Sequence, residues 1–456
     1  MSSATPGTPE TGSGVPADDP SGPIPFRLLP DTSDTSPEGH LTIGGCDTVE
    51  LAAEFGTPLF VYDEAHLRAR CAQAVAAFDG GVAYAGKAFL CAAMARLVVA
   101  EGMHIDVASI GELETVLQAF GGDSVAARVV MHGNNKSAAE IDRARQTRVG
   151  RIVVDSFDEL DLLDELHRAD GRVPRVLLRV TPDVRAETHD YISTGQADSK
   201  FGFGIAAGDA EAAVERASEA SSVELVGIHC HIGSQVFRVE SLAQALGVVA
   251  RFAAEAFEGH SQQLRELSIG GGLGVAYVES ETAPSISEWG NALTEQWQKL
   301  CDQYGLTARL TAEPGRAIAA GAAVTLYTVG ARKEVPGVRT YAAVDGGYGD
   351  NPRPMLYGSD YTAFAPARVK DPRPDRVRLV GKHCESGDVI VRSAPVPAGL
   401  AAGDLVATPV TGAYGYSMGA PYNRIGRPAV VFVADGTAQL VIRRETVDDM
   451  LALDIG

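Results

Sequence analysis

One lysine lies in an otherwise small and apolar stretch of this sequence, VAYAGKAFLC at residues 82–91. Lys87 follows a short strand-like run and precedes a helix-like one. A buried amine is costly to desolvate and is rarely found without a use. An apolar surround also favours the neutral amine, which is the form that attacks a carbonyl carbon to give a Schiff base. The sequence therefore predicts a buried, nucleophilic lysine at position 87.

Other polar groups stand where further short apolar runs end. Asp106 ends one run, Arg179 lies in another, and HCHIGSQ at 229–235 ends a third. GGGLG at 270–274 and EPGR at 313–316 follow two later runs. If these runs are parallel strands, their carboxyl ends meet at one face and bring these groups together.

The glycine-rich segment GGGLG indicates an anion site. It lacks the G-x-G-x-x-G spacing of dinucleotide-binding turns and lies late in the chain. Consecutive glycines before a helix still expose backbone N–H groups to an anion, aided by the helix N-terminus. Together with a Schiff-base lysine, they favour pyridoxal 5′-phosphate (PLP) as the cofactor. Glu313 is then a candidate for holding the pyridine nitrogen protonated.

A metal site is the alternative interpretation of the histidines. His229 and His231 lie two residues apart, so on a strand they share one face. Zinc sites favour other spacings and a clear third ligand, and the sequence marks none. We therefore predict no metal.

The elements that position these groups alternate between strand-like and helix-like segments. Helical spacing of apolar residues separates eight short apolar runs, and this alternation predicts a parallel (β/α)8 barrel. An open doubly wound sheet is the alternative. The runs are VAYA (82–85), HIDV (104–107), VVM (129–131), IVV (152–154), VLLRV (176–180), LVGIH (225–229), LSI (267–269) and RLTAE (309–313).

Beyond about residue 320, β-rich runs follow one another without helices between them, which predicts a mostly antiparallel C-terminal β domain. We place the barrel at 81–320 and the β domain at 321–456, and expect PLFVYD, within an N-terminal segment at 39–80, to add a strand to it. Residues 1–38 are rich in Ser, Thr, Pro, Gly and Asp, and are predicted to be a disordered tail.

Composition limits the classes of binding partner and indicates the cellular compartment. The 59 acidic and 39 basic residues give a formal charge of -20, which argues against nucleic acid. Six scattered cysteines without a C-x-x-C pair favour free thiols in a reducing cytoplasm. No apolar run is long enough to predict a membrane span, and no signal peptide is indicated.

Taken in order, the motifs resemble those of the fold-type III PLP decarboxylases, and most closely the bacterial diaminopimelate decarboxylases. The similarity spans roughly residues 41–452 and implies an alanine-racemase-like barrel with a C-terminal β domain. It also implies PLP-dependent decarboxylation of meso-2,6-diaminopimelate to L-lysine and CO2, the last step of lysine biosynthesis. The motifs are YAGKAF, DVASIGE, HGNNKS, HDYISTGQADSKFGF, HCHIGSQ, GGGLG, EPGR, DNPRPMLY, GKHCESGD and GAYGYSMGAPYN.

The resemblance implies roles for particular residues around the cofactor. Lys87 matches the lysine that holds PLP covalently, and His231 matches the histidine that stacks on the pyridine ring. Glu313 resembles the partner of the ring nitrogen, while Asp106 and Arg179 resemble supporting residues. The remaining cofactor-binding positions resemble the phosphate cradle: Ser234, Gly271, Gly272, Pro314, Gly315, Arg316 and Tyr414.

The resemblance also implies how the far end of the substrate is held. Arginine and tyrosine suit the carboxylate there and glutamate suits the ammonium, because these groups make charge-assisted hydrogen bonds. The matching positions are Arg316, Arg353, Tyr357, Glu385 and Tyr414.

Cys384 matches the cysteine proposed to return a proton after CO2 leaves, since a thiol can cycle its proton near neutral pH. In this family the CES segment reaches the neighbouring subunit's site, which implies a homodimer with shared active sites. Tyr348 is bulkier than we expect next to DNPRP.

Three other functions remain open. A related PLP-dependent decarboxylase that acts on another amino acid or on a carrier-bound acyl group would keep nearly all of these motifs. A racemase would need a tyrosine base opposite the lysine, where this sequence has CES. A non-enzymatic PLP-binding protein of the single-barrel type would not need the long β domain.

Overall fold

The computed structural model describes residues 24–184, 199–260 and 262–456. Three short strands begin this part of the chain and form a small antiparallel sheet. A helix, a longer strand and a second helix follow. These first elements are β1 (Asp34–Thr35), β2 (Leu41–Ile43), β3 (Cys46–Asp47), α1 (Thr48–Phe55), β4 (Leu59–Asp63) and α2 (Glu64–Ala77).

Parallel strands alternate with helices through the next part of the chain, as predicted. A two-residue strand, β10, adds to this pattern and pairs with β9 in parallel. The elements are β5 (Ala83–Ala85), α3 (Ala92–Ala100), β6 (His104–Val107), α4 (Ile110–Ala119), β7 (Val129–Met131), α5 (Ala138–Thr147), β8 (Arg151–Val154), α6 (Phe157–Asp170), β9 (Arg175–Thr181), β10 (Phe203–Gly204), α7 (Asp209–Glu219), β11 (Glu224–Cys230), α8 (Val239–Ala256), β12 (Glu266–Ser268), α9 (Ile286–Tyr304), β13 (Arg309–Thr311) and α10 (Arg316–Ala319).

The sheet closes into a barrel. Its strands run in the order β13-β12-β11-β9-β8-β7-β6-β5. A parallel bridge between Val82 and Ala312 joins the two ends, and the Ala83 N–H donates to the Ala312 carbonyl at 2.9 Å. The predicted (β/α)8 barrel is therefore confirmed, and the open doubly wound sheet is excluded.

Serines directly after the strands set where several barrel helices begin. Ser109 accepts the Glu112 N–H at the start of α4, and Ser156 accepts the Glu159 N–H at the start of α6. Ser137 begins α5 with a complete capping box. Each cap satisfies an N–H group that the first helical turn leaves unpaired. These caps fix where α4, α5 and α6 begin, at the end of the barrel to which the carboxyl ends of the strands point.

A second sheet follows the barrel and is mostly antiparallel, as predicted. Its order is β17-β16-β15-β14-β4-β19-β20, with β18 on β14, and two of its pairings are parallel. The elements are β14 (Ala323–Val335), β15 (Arg339–Val344), α11 (Arg353–Tyr357), β16 (Asp375–Val380), β17 (Val389–Val396), β18 (Leu405–Pro409), β19 (Ala429–Ala434), β20 (Thr437–Ile442) and α12 (Val447–Leu451).

The N-terminal segment divides between the two parts of the fold. Strand β4 lies between β14 and β19 in the second sheet. Helix α2, from the same segment, packs on barrel helix α9, with the Phe78 and Trp289 rings 4.9 Å apart. The boundaries at residues 80 and 320 stay predictions. No helix in the described part of the chain is long and apolar enough to cross a membrane.

The predicted disordered tail is wrong for residues 24–38, and residues 1–23 lie outside the described part. Ile24 and Leu29 are buried in one cluster with Val61 and Phe364 of the β domain, and Leu28 is buried in the main core. The Thr32 N–H donates to the Asp63 carboxylate at 3.1 Å. A few apolar side chains anchor this stretch, and the polar average composition concealed them.

Candidate active site

A cavity of about 880 Å³ opens at the carboxyl ends of the barrel strands. Part of its wall comes from the β domain, which contributes Arg353, Tyr357 and Tyr414. The structure brings nearly every predicted site residue to this one cavity: Lys87, Asp106, Arg179, His231, Ser234, Gly271, Gly272, Glu313, Pro314, Gly315, Arg316, Arg353, Tyr357 and Tyr414.

Lys87 lies in a tight 3₁₀ turn directly after β5. Its side chain is exposed to the cavity, so the prediction of a buried lysine is wrong. The turn itself is buried and fixed from the β domain, because the Ala88 carbonyl accepts the Tyr414 N–H at 2.9 Å and the Ser417 hydroxyl at 3.0 Å. The fold thus presents a rigidly mounted amine to an open cavity.

The buried lysine of this region is Lys136, in HGNNKS after β7. Its side chain is 1% exposed, and its Nζ lies 2.9 Å from Glu159. The same Nζ donates to the carbonyls of Gly133 at 2.6 Å and Val153 at 2.7 Å. Burial lowers the pKa of Lys136, against the opposing charge of Glu159. Lys136 therefore holds the loop that carries His132 at the cavity.

Replacing Lys136 by methionine should destabilise the fold strongly, because it leaves the buried Glu159 carboxylate without its counter-charge. We expect a loss of about 3–5 kcal/mol in the free energy of unfolding. Urea denaturation measures this loss of stability. Lys299→Met, at an exposed position of helix α9, is the matched control and should change the free energy of unfolding little. A loss below about 1 kcal/mol would show that the backbone donors near Glu159 suffice.

Glu313 lies at the centre of a polar cluster at the base of the cavity. Its Oε2 lies 2.9 Å from His229 Nε2, and its Oε1 accepts the Ser268 hydroxyl at 3.0 Å. His132 Nε2 lies 3.4 Å from Glu313 Oε1 and 3.7 Å from Asp106 Oδ1. Three strand ends, of β7, β11 and β12, thus direct polar groups onto one carboxylate.

The surroundings of the two acids in this cluster shift their pKa values in opposite directions. Burial raises the pKa of Glu313, but His229 and His132 outweigh it and hold the pKa well below the usual value. Burial also raises the pKa of Asp106, to about 6, with His132 opposing and the Glu313 charge adding to the rise. Glu313 is therefore the ionised acid that can pair with a cationic ring nitrogen.

The nitrogens of His132 and His229 and an oxygen of Glu313 lie within 4.8 Å of one another, a spacing that a metal ion could bridge. The structure thus groups His229 with His132, whereas the sequence suggested His231. Both Glu313 oxygens already accept hydrogen bonds or face a histidine, and these contacts account for the cluster. The expected lack of a metal stays a prediction.

His231 forms a side wall of the cavity. The Gly271 N–H donates to its Nδ1 at 3.2 Å, which fixes the plane of the ring. Burial, with the nearby charge of Lys87, lowers the pKa of His231 well below its usual value. The ring is therefore neutral, which suits stacking on an aromatic ligand.

The backbone of the glycine-rich segment lies so close to neighbouring backbone that no side chain would fit at Gly271 or Gly272. A Cβ on Gly271 would lie 2.3 Å from the Glu313 carbonyl oxygen. Gly272 has φ +111° and would place a Cβ 2.5 Å from the Gly233 oxygen. The expected helix N-terminus is wrong, because α9 begins only at Ile286. At Gly271 and Gly272 the cradle is therefore built of loop backbone and not of a helix N-terminus.

Two buried arginines line one wall. Arg316 donates through Nη2 to the Ser234 hydroxyl at 2.8 Å and lies 4.6 Å over the Tyr414 ring. Arg353 is 4% exposed and donates to the Tyr361 hydroxyl at 2.9 Å. Within the described parts of the chain, the Nε atoms of both have no hydrogen-bond partner. In the described residues neither arginine is paired with a carboxylate, so this wall can bind anions.

Arg179 lies deeper in the barrel, 3.6 Å from Asp155, with its guanidinium 4.2 Å from the centre of the Phe201 ring. It lines the cavity but pairs with a barrel acid. Arg179 thus has a carboxylate partner, whereas Arg316 and Arg353 have none among the described residues. Residues 189–198 of the HDYISTGQADSKFGF motif lie outside the described residues.

Cys384 and Glu385 do not line the cavity of their own chain. Both are exposed, and the Cys384 N–H donates to Asn423 Oδ1 at 2.8 Å. Tyr348 is not a cavity residue either; its ring packs 4.7 Å from that of His383, next to Cys384. Cys384, Glu385 and Tyr348 therefore lie on the β domain outside the cavity of their own chain.

Some residues that line the cavity or contact its lining residues were missed from the sequence. His132 lies in the HGNNKS motif, but no sequence pattern assigns a role to this histidine. Ser268 is a single hydroxyl inside a strand, and Tyr277 lies in an irregular segment after GGGLG. No local signal marks either one. Only the closed barrel shows that they face Glu313 and the arginines.

Comparisons with known proteins agree with this geometry. Residues 64–320 match the model of the pyridoxal binding domain of pyridoxal-dependent decarboxylases. The diaminopimelate decarboxylase of Bacillus subtilis is 44% identical over 94% of this chain and 98% of its own. That of Mycobacterium tuberculosis is 45% identical over 91% of this chain and 95% of its own. A diaminopimelate decarboxylase from M. jannaschii, crystallised with L-lysine, superposes with a TM-score of 0.86 at 32% identity, covering 93% of this chain and 98% of that one.

Proposed function

We propose that this chain, which belongs to the diaminopimelate decarboxylases of the pyridoxal-dependent decarboxylase family, converts meso-2,6-diaminopimelate to L-lysine and CO2. The observation that carries the proposal is a pair of buried arginines that have no carboxylate partner among the described residues and share the cavity with an accessible lysine. Such a wall suits a substrate that keeps a second carboxylate away from the reacting end.

The residues present fit PLP. The cradle at Gly271 and Gly272 leaves backbone exposed where a side chain would not fit, and Lys87 projects into the same cavity. Glu313 is kept ionised, because His229 and His132 lower its pKa, and it can face a protonated ring nitrogen. Ser234, Pro314, Gly315, Arg316 and Tyr414 complete the proposed phosphate side.

PLP, when bound, supplies an electron sink for the electron pair left on the α-carbon as CO2 departs. The protein contributes orientation and charge. Lys87 provides the amine that holds the cofactor and exchanges with the substrate amine. Glu313 maintains the positive charge of the ring nitrogen, and the neutral His231 ring restricts the position of the pyridine. Asp106 and Arg179 support these groups.

The far end of the substrate is proposed to lie against the arginine wall. Arg353 and Arg316 bind its carboxylate, and Tyr357 and Tyr414 border it. Glu385 is proposed to bind the ammonium group from the second subunit. A substrate with a far ammonium but no far carboxylate would leave two buried guanidinium groups unpaired, which disfavours it.

We propose that the active form is a homodimer with shared sites. Cys384 and Glu385 are exposed on their own chain, so they are available to a neighbour. Exposed apolar side chains lie beside them, with Met355 43% and Leu356 52% exposed in α11. Met355 lies 3.5 Å from the position of a Cβ on Gly387, in the same loop as Cys384. Covering this face with a second copy would bury these side chains and complete the cavity.

Cys384 is proposed to return a proton to the α-carbon in the partner's site. If sites are shared, Lys87→Ala and Cys384→Ala chains should complement each other, because each mixed dimer contains one intact site. We expect each variant alone to lose roughly 10²-fold or more in turnover, and co-purified mixed dimers to regain a quarter to a half of wild-type activity. Mixed dimers with no regained activity would show that both residues act in the same chain's site.

The function is tested by incubating the PLP-loaded enzyme separately with meso-diaminopimelate, lysine, ornithine, arginine and glutamate, and analysing products by mass spectrometry. Lysine formed from diaminopimelate alone is the expected result. Cofactor attached to Lys87 without lysine formation would instead indicate the related decarboxylase of another amino acid or a carrier-bound acyl group. We also propose a reducing cytoplasm as the compartment, since all six cysteines are free.

A further inference from the structure

Tyr277 lies between the two arginines of the cavity wall. Its hydroxyl accepts a hydrogen bond from Arg316 Nη1 at 2.5 Å. The Arg353 guanidinium lies 4.0 Å from the centre of the same ring, within range of a cation–π contact. Tyr277 is buried and lines the cavity. One side chain thus contacts both cations of the proposed anion-binding wall.

We propose that Tyr277 is a positioning residue for substrate specificity, holding Arg316 and Arg353 together as a clamp for the carboxylate at the far end of the substrate. This inference rests on the proposed function, because it requires a substrate that keeps a second carboxylate. It assigns Tyr277 no contact with the reacting atoms. Its effect is to fix the arginines before the substrate arrives.

The surroundings of Arg353 support this role. On its other side, Nη1 donates to the Tyr361 hydroxyl at 2.9 Å. The rings of Tyr277 and Tyr361 meet edge to face, 5.1 Å apart at 66°. The guanidinium is therefore stacked on one ring and hydrogen-bonded to the next. A long side chain held this way loses little rotamer freedom when it binds a ligand, which increases affinity.

Tyrosine also leaves the arginines with their full charge. In the described part of the chain, neither arginine has an ion-pair partner, and the Nε atom of each lacks a hydrogen-bond acceptor. A carboxylate at position 277 would neutralise the wall. A phenol fixes the guanidinium groups without offsetting their attraction for a substrate carboxylate. The Tyr277 backbone is itself held, since its N–H donates to Glu281 Oε2 at 2.7 Å.

The test compares two competitive inhibitors of the full-length, PLP-loaded enzyme. L-Lysine keeps the carboxylate that remains at the far end, and pentane-1,5-diamine lacks it. The ratio of their inhibition constants therefore measures how much the far carboxylate contributes to binding. Tyr277→Leu removes both the ring and the hydroxyl, and Tyr277→Phe removes only the hydroxyl. Tyr327→Phe is the matched control, because it removes a buried hydroxyl that lies outside the cavity and has no hydrogen-bond partner among the residues that the structure describes.

We expect the diamine-to-lysine ratio to fall about tenfold in Tyr277→Leu, the effect of losing a desolvated cation–π contact. It should fall less in Tyr277→Phe and stay unchanged in Tyr327→Phe. The KM for diaminopimelate should rise in parallel, while kcat changes less than about threefold. Cofactor retention should fall less than the ratio does, because Arg316 is only one of several proposed phosphate contacts. Equal losses in kcat, cofactor retention and the ratio would indicate a merely structural residue and overturn the inference.

Failure of the inference can be distinguished from failure of the proposed function. A high wild-type ratio that persists in Tyr277→Leu overturns the inference alone. A wild-type ratio near one, or no lysine formed from diaminopimelate, would overturn both the inference and the proposed function. If Tyr277→Leu does not retain the cofactor, Tyr361→Phe removes only the hydroxyl to which Arg353 donates. A ratio about fivefold lower then supports the clamp, and an unchanged ratio overturns it.

Discussion

Lys87→Ala should purify as a folded protein whose cofactor is removed by dialysis and whose turnover falls roughly 10²- to 10⁴-fold. The fold should survive, because the Lys87 side chain is exposed to the cavity and its removal leaves no void in the core. The buried turn that carries it keeps its hydrogen bonds from the Tyr414 N–H and the Ser417 hydroxyl. What is lost is the amine that holds PLP and exchanges with the substrate.

The measurement is borohydride reduction followed by peptide mass spectrometry. In the wild type the cofactor mass should lie on the peptide that contains Lys87, and in Lys87→Ala it should be absent. Lys299→Ala, at an exposed position of α9, is the control and should keep both the label and the activity. Cofactor found on Lys136 in the wild-type protein would contradict the assignment of Lys87. We do not expect this result, because the Lys136 side chain is only 1% exposed.

Glu313→Gln should retain PLP but lose roughly 10²- to 10³-fold in kcat, with little change in KM. The substitution keeps the shape of the side chain and its acceptor for the Ser268 hydroxyl. It removes the negative charge that His229 and His132 maintain against burial. Without that charge the ring nitrogen is no longer held protonated, and the cofactor becomes a poorer electron sink.

The dissociation constant of the cofactor and the far-ultraviolet circular dichroism spectrum of the protein provide the controls for this variant. Both should stay close to wild type, since the phosphate side and Lys87 are untouched. His132→Gln should give a smaller loss of the same kind, because the His229 contact at 2.9 Å remains. Full activity in Glu313→Gln would show that ring protonation does not depend on this carboxylate.

The sequence alone determined the fold class and most of the cavity. Alternating apolar runs and helical spacing depend on local side-chain periodicity, so every predicted barrel strand matches an observed one. Motifs at strand ends identified the cavity residues of the barrel, because the carboxyl ends of barrel strands meet at one face. The family resemblance identified those of the β domain, Arg353, Tyr357 and Tyr414. Composition failed at residues 24–38, where three buried apolar side chains outweigh a polar average.

The tertiary structure decided what each group faces. It exposes Lys87 and buries Lys136, and it groups His132 rather than His231 with His229 and Glu313. The barrel closes between Val82 and Ala312, and this closure brings the turn of Lys87 and the strand of Glu313 to one cavity from distant parts of the chain. Burial and charge arise from such contacts between distant segments, and no local pattern of residues specifies them.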